Sequence, residues 1–127
     1  MKPTWYFSPT YRQNYYFFIA WKYQDFVKYM KKNYDYDQQE NTQIPSGTCK
    51  EIFNDKGSIY LIWCELHPKT PFGISILSHE CIHAAMFTLG LRGINVTTQD
   101  HEVLTYLHCE ILEAALTRKL NSRKVYW

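Results

Sequence analysis

The chain has 127 residues and a mass of 15.2 kDa, enough for one domain with a real core and too short for two of ordinary size. Apolar residues make up 46 %, aromatics 17 % and charged residues 20 %, which excludes a disordered chain, since those are poor in aromatics. The net charge is +2 and the basic residues are dispersed, apart from Lys31-Lys32 and the tail from Arg118-Lys119 to Arg123-Lys124, so the clustered basic face of a nucleic-acid binder is missing.

The first 14 residues show no sustained period and read as an irregular arm or a short edge strand. Tyr15-Tyr16-Phe17-Phe18-Ile19-Ala20 is a short aromatic and β-branched run that predicts a buried strand. From Tyr23 to Tyr34, the residues Tyr23, Phe26, Val27, Met30 and Tyr34 recur at spacings of three and four, which predicts an amphipathic helix. Residues 35–47 are polar, end in Pro-Ser-Gly and predict a loop. The runs 48–53 and 58–63, joined by Asn54-Asp55-Lys56-Gly57, predict a β-hairpin. Thr70-Pro71 offers an N-cap hydroxyl followed by Pro at the first helical position, opening a helix expected to run to Leu89 and stop at Gly90. After a loop over 91–99, the residues Val103, Leu104, Leu107, Ile111, Leu112, Ala115 and Leu116 predict a last helix from about Asp100 to Leu120. The order β-α-β-β-α-α is that of an α+β domain spanning 1–127, with a small sheet followed by two long helices.

Met1-Lys2-Pro3-Thr4-Trp5 lacks the apolar stretch and cleavage site of a secretory signal, and no apolar run reads as a membrane span of about 20 residues. The expectation is a cytoplasmic protein without membrane contact. Cys49, Cys64, Cys81 and Cys109 form no C-x-x-C pair, so free thiols are expected.

The segment that carries chemistry is His79-Glu80-Cys81-Ile82-His83. Residues four apart on a helix share a face, so His79 and His83 can present two imidazoles to one ion. Glu80, one step round the helix, can reach the open coordination position and accept a proton from water there. Chance alone supplies this pattern about once per hundred chains of this composition, so its context matters: it lies inside a helix with its own start and stop signals. A catalytic zinc takes three protein ligands and keeps one position open. His101, Glu102, His108, Cys109, Glu110 and Glu113 are the candidates for the third, all on or at the start of the last helix. Glu102, 19 residues after His83 and in the first turn of that helix, is preferred, with His101 its close rival. His101, Tyr106, His108 and Tyr126 are candidate donors to a developing oxyanion.

With these residues in place, the pattern resembles the gluzincins, the thermolysin-like zincins in which two histidines and a downstream glutamate bind zinc. More specifically, HECIHAAMFTLG, a Gly-containing loop and DHEVLTYL look like a group of small phage-encoded zincin-like proteins, the similarity covering about residues 74 to 108. The resemblance implies a minimal zincin-like fold with a mostly antiparallel sheet. It also implies one Zn2+ per chain on His79, His83 and Glu102, Glu80 as general base, and hydrolysis of a peptide or protein amide, in the host cytoplasm if phage-encoded. The strand at 59–63 would then either present an edge to an extended peptide, as zincins do by family analogy, or lie inside the sheet, paired on both sides. Two positions depart from the family patterns. Tyr106 stands where the thermolysin-like pattern has an Asp that orients a histidine, and is left as a hydrogen-bonding candidate. Met86 and Leu89 occupy the Gly and third His positions of the metzincin motif. The alternative is a catalytically silent zincin-fold protein that binds a host protein without cutting it.

Overall fold

The computed structural model describes residues 1–37, 45–55 and 57–122, without the side chains of Asn54 and residues 119–122. Its elements are β1 (Thr4–Ser8), β2 (Gln13–Ile19), α1 (Tyr23–Tyr34), β3 (Gly47–Asn54), β4 (Gly57–Cys64), α2 (Pro71–Leu91) and α3 (Glu102–Ser122). The strands form one sheet in the order β1-β2-β4-β3. Two of its pairings, β1 with β2 and β3 with β4, are antiparallel, and the central pairing of β2 with β4 is parallel. The layout is α+β, as the element order predicted.

β2 and β4 are covered on both sides, which is why each reads as an almost continuous apolar run instead of alternating. Tyr15, Phe17, Ile19, Tyr60, Ile62 and Cys64 face α2 and α3, and pack with Leu77, Cys81, Ala84, Ala85, Leu89, Leu107 and Ile111. Phe18, Leu61 and Trp63 point the other way, to Phe26 and Met30 of α1. Burying each such large side chain stabilises the fold by about 1.5–3 kcal/mol relative to leaving it exposed. The Trp63 indole lies parallel to Phe26 and donates its N–H to the Trp21 carbonyl at 2.8 Å, so its polar atom is satisfied.

The amino-terminal segment is an edge strand, β1, turned back onto β2 through residues 9–12. Trp5 and Phe7 stay exposed, which is why no alternation of apolar and polar residues betrayed it. Tyr6 holds β1 to α3 by donating to the Glu110 carboxylate at 2.5 Å. Burial first, and then the bonded and charged Glu110, push this phenol up to about 12. β4 is internal, paired on both sides, so the peptide-accepting edge at 59–63 is not there. The free edge on that side of the sheet belongs to β3.

α2 begins as predicted, with the Thr70 hydroxyl accepting from the Gly73 amide at 3.1 Å and Pro71 at its start. It continues through Gly90 to Leu91, and the left-handed glycine that follows it is Gly93, with φ of 70°. The Gly93 and Ile94 amides return to the carbonyls of Gly90 and Leu89, satisfying groups that a helix end leaves open. Gly90 therefore is an ordinary helical residue. α2 is also long and apolar enough to cross a membrane by length and composition, a correction to the sequence expectation, and part of that apolar character serves the core beneath it.

At the start of α2 the chain passes so close to itself that a Cβ on Gly73 would lie 2.3 Å from the His67 carbonyl oxygen. Gly73→Ala is expected to lower stability by about 1–3 kcal/mol, the usual cost of forcing extra volume into a packed site. The reading is a lower urea midpoint with an unchanged slope. An unchanged midpoint would mean that the turn before α2 yields freely.

Candidate metal centre

His79 and His83 project from the middle of α2, one turn apart, with His79 exposed and His83 half-buried. Their rings meet edge to face, centroids 4.7 Å apart, and their Nε2 atoms are 3.1 Å apart. Two zinc–nitrogen bonds of about 2.0–2.1 Å at a tetrahedral angle hold their nitrogens roughly 3.3 Å apart. The pair therefore already has nearly the spacing that one shared ion requires. Phe87 stacks on His83 at 6.2 Å and in turn on Tyr60 at 6.0 Å. A column of rings thus runs from the sheet to the second imidazole and limits its rotation. Phe87 was not singled out in the sequence, where it is one more apolar helix residue.

Glu80 faces inward, only 8 % exposed, and its carboxylate joins the two imidazoles in a group whose candidate ligand atoms all lie within 4.8 Å of one another. Burial raises the pKa of this carboxyl, while His79 and His83 pull it back down. A carboxylate made more basic by desolvation, beside a potential ion site, is suited to accepting a proton. Two imidazoles at this spacing suit zinc, which takes nitrogen ligands and in catalytic sites keeps a position open, and the inward carboxylate stands beside that position as a proton acceptor.

Beside the group, a cleft of about 270 Å³ is lined by Ser46, Gly47, Ser75, Ile76, His79 and Glu80. It lies between α2 and the first residues of β3. A Cβ on Gly47 would stand 3.1 Å from Cγ of Glu80 and 2.9 Å from the Ile76 side chain. Glycine there leaves room for the carboxylate and keeps the cleft open. In the sequence Gly47 only marked the end of a loop, since its closeness to Glu80 depends on long-range packing.

Among the described residues, neither Glu102 nor His101 belongs to the His79-Glu80-His83 group. Both are exposed, His101 just before α3 and Glu102 in its first turn. No family model matches the chain, and no curated protein and no solved structure is found similar to it. The geometry of the chain itself is thus what bears on the site.

His108 fixes how α3 lies on α2, its Nε2 being 3.1 Å from both the hydroxyl and the carbonyl oxygen of Ser78. Glu102 lies six residues earlier, about 9 Å back along α3 at a rise of about 1.5 Å per residue. With α3 folded back on α2, its first turn lies toward the C-terminal half of α2. The Glu102 side chain is exposed, as that of His79 is, and lies outside the group of candidate ligand atoms. His108 itself is held against the residue preceding His79, on the α3 side. Tyr106 is 72 % exposed and makes no hydrogen bond among the described residues. Tyr126 lies outside the described residues, as does most of the predicted 35–47 loop.

Proposed function

We propose that the chain is a zinc-dependent peptidase acting on a peptide or protein amide. The observation that carries this reading is the pair of Nε2 atoms 3.1 Å apart, with an inward carboxylate in the same group and an open cleft beside it. His79 and His83 would hold the ion, with Glu102 at the start of α3 as the third ligand. Zinc, when bound, polarises the scissile carbonyl and makes water acidic enough to attack at neutral pH. Glu80 takes the proton of the attacking water and passes it to the departing amine nitrogen. The free edge of β3, whose first residues border the cleft, orients an extended substrate by main-chain hydrogen bonds. A cytoplasmic site of action and a phage origin go with this reading through the motif alone.

The test is metal analysis of protein purified without a His tag, together with mass-spectrometric detection of peptide cleavage before and after chelation. The expected result is about one zinc per chain and cleavage that chelation stops and zinc restores. Glu102→Ala is expected to weaken zinc binding at least about 100-fold, since even the loss of a residue that merely supports a ligand costs 10–100-fold. Unchanged affinity would remove Glu102 from the ligand set and bring His101→Ala forward as the next variant.

A second reading rests on the surface round the imidazoles. Phe72, Met86 and Phe87 are exposed on α2, so the pair sits in an apolar strip suited to a protein partner. On that reading the protein occupies a host protein without cutting it. A partner recovered by pull-down and shortened only when zinc is present supports the peptidase; a partner recovered intact supports the binder.

A further inference from the structure

On the opposite face of the sheet from His79 and His83, between the residues that lead into β1 and the outer side of α1, lies a cleft of about 610 Å³. Aromatic rings make its floor. Trp21 is buried and meets Tyr29 edge to face at 5.6 Å, and Tyr16 lies half-buried beside them. The Trp63 indole bonds the Trp21 carbonyl from below, so the floor is tied into the core and is rigid.

The rim carries charge of one sign in excess. Lys28 and Lys32, one turn apart on α1, and Lys2 line it against a single carboxylate, Asp25. Among the described residues none of these three lysines is in an ion pair, whereas the adjacent Lys31 is held by Asp35 at 2.8 Å and Asp37 at 3.2 Å. Uncompensated cations beside the half-buried rings of Tyr16 and Tyr29 match a ligand that combines a planar ring with negative charge. The volume falls within the range of about 300–1,000 Å³ usual for small-molecule sites.

We infer that this cleft binds a free nucleotide, with the base against Tyr16 and Tyr29, backed by the buried Trp21, and the phosphates between Lys28, Lys32 and Lys2. The site shares no residue with the metal centre and stands or falls apart from it.

Isothermal titration calorimetry in EDTA, which removes metal from the histidine site, tests the inference with three probes. ATP carries both ring and charge, adenosine the ring alone and tripolyphosphate the charge alone. ATP is expected to bind more tightly than either fragment. Lys28→Ala and Lys32→Ala are each expected to weaken it about tenfold or more, as loss of a hydrogen bond to a charged group implies. Lys31→Ala, off the cleft, should leave the affinity unchanged. All three lysines are exposed, and circular dichroism checks that each variant is folded. No ATP binding, equal binding of tripolyphosphate and ATP, or full affinity in the Lys28 and Lys32 variants would each overturn the assignment.

Discussion

Alanine at His79 or at His83 is expected to abolish zinc binding under conditions that saturate the wild type, and to abolish cleavage with it. Each substitution removes one of the two imidazoles that α2 holds 3.1 Å apart, and on the proposed reading one imidazole and one carboxylate are too few to hold zinc. The fold should survive. His79 is exposed and His83 half-buried, neither belongs to the core clusters, and alanine is the better helix former. The measurement is therefore thermal unfolding with and without zinc. At a free zinc concentration of 100 times its dissociation constant, binding to the native state alone stabilises by about 2.7 kcal/mol. That increment should vanish in both variants while the metal-free melting temperature stays the same or rises slightly. A variant that keeps the zinc-dependent increment would show that the ion, if bound, is held elsewhere.

Glu80→Gln separates metal binding from chemistry. Glutamine has the size of glutamate but cannot accept the proton, so cleavage is expected to fall about 10²–10⁴-fold, the range usual for general-base catalysis, with zinc content unchanged. The same substitution has a second, independent signature. Burial raises the Glu80 pKa in the folded chain, so near neutral pH the native state is penalised for holding the charged form. A neutral glutamine removes that penalty, and the metal-free variant is expected to melt at a higher temperature than the wild type. Undiminished cleavage would exclude Glu80 as the base. Loss of zinc would instead make it a ligand, which its place within 4.8 Å of both imidazoles would then explain.

The elements whose side chains obey a simple period were legible in the sequence. α1 spans the predicted Tyr23–Tyr34, the hairpin strands lie within one residue of their predicted limits, and α2 starts at the Thr70-Pro71 cap. What depends on tertiary partners was not. β1 exposes two of its aromatics and owes its strand character to pairing with β2. The strand order places β4 inside the sheet and β3 at its edge; the continuous apolar run of β4 agrees with that place, but its parallel pairing with β2 is set only by the tertiary fold. At the site, the spacing of His79 and His83 was enough to foresee their meeting, because helical geometry alone brings residues four apart together. The roles of Gly47 and Phe87 come from a strand and a ring column reaching α2 from elsewhere. The proposed third ligand, Glu102, is of the same kind, since it lies outside the group and its reach depends on how α3 packs on α2.

The uneven exposure of the group bears on how the site can be lost over time. The two imidazoles stand on the solvent side of α2, while Glu80 lies inward against the start of β3. Substitutions at the histidines leave the interior untouched and escape any selection for stability alone, but a bulkier residue at Glu80 or Gly47 disturbs the packing between helix and strand. If the proposed chemistry holds, descendants that lost it would therefore drop the histidines first and retain the inward carboxylate, so a glutamate without its flanking histidines would mark a lineage that kept the scaffold for another use.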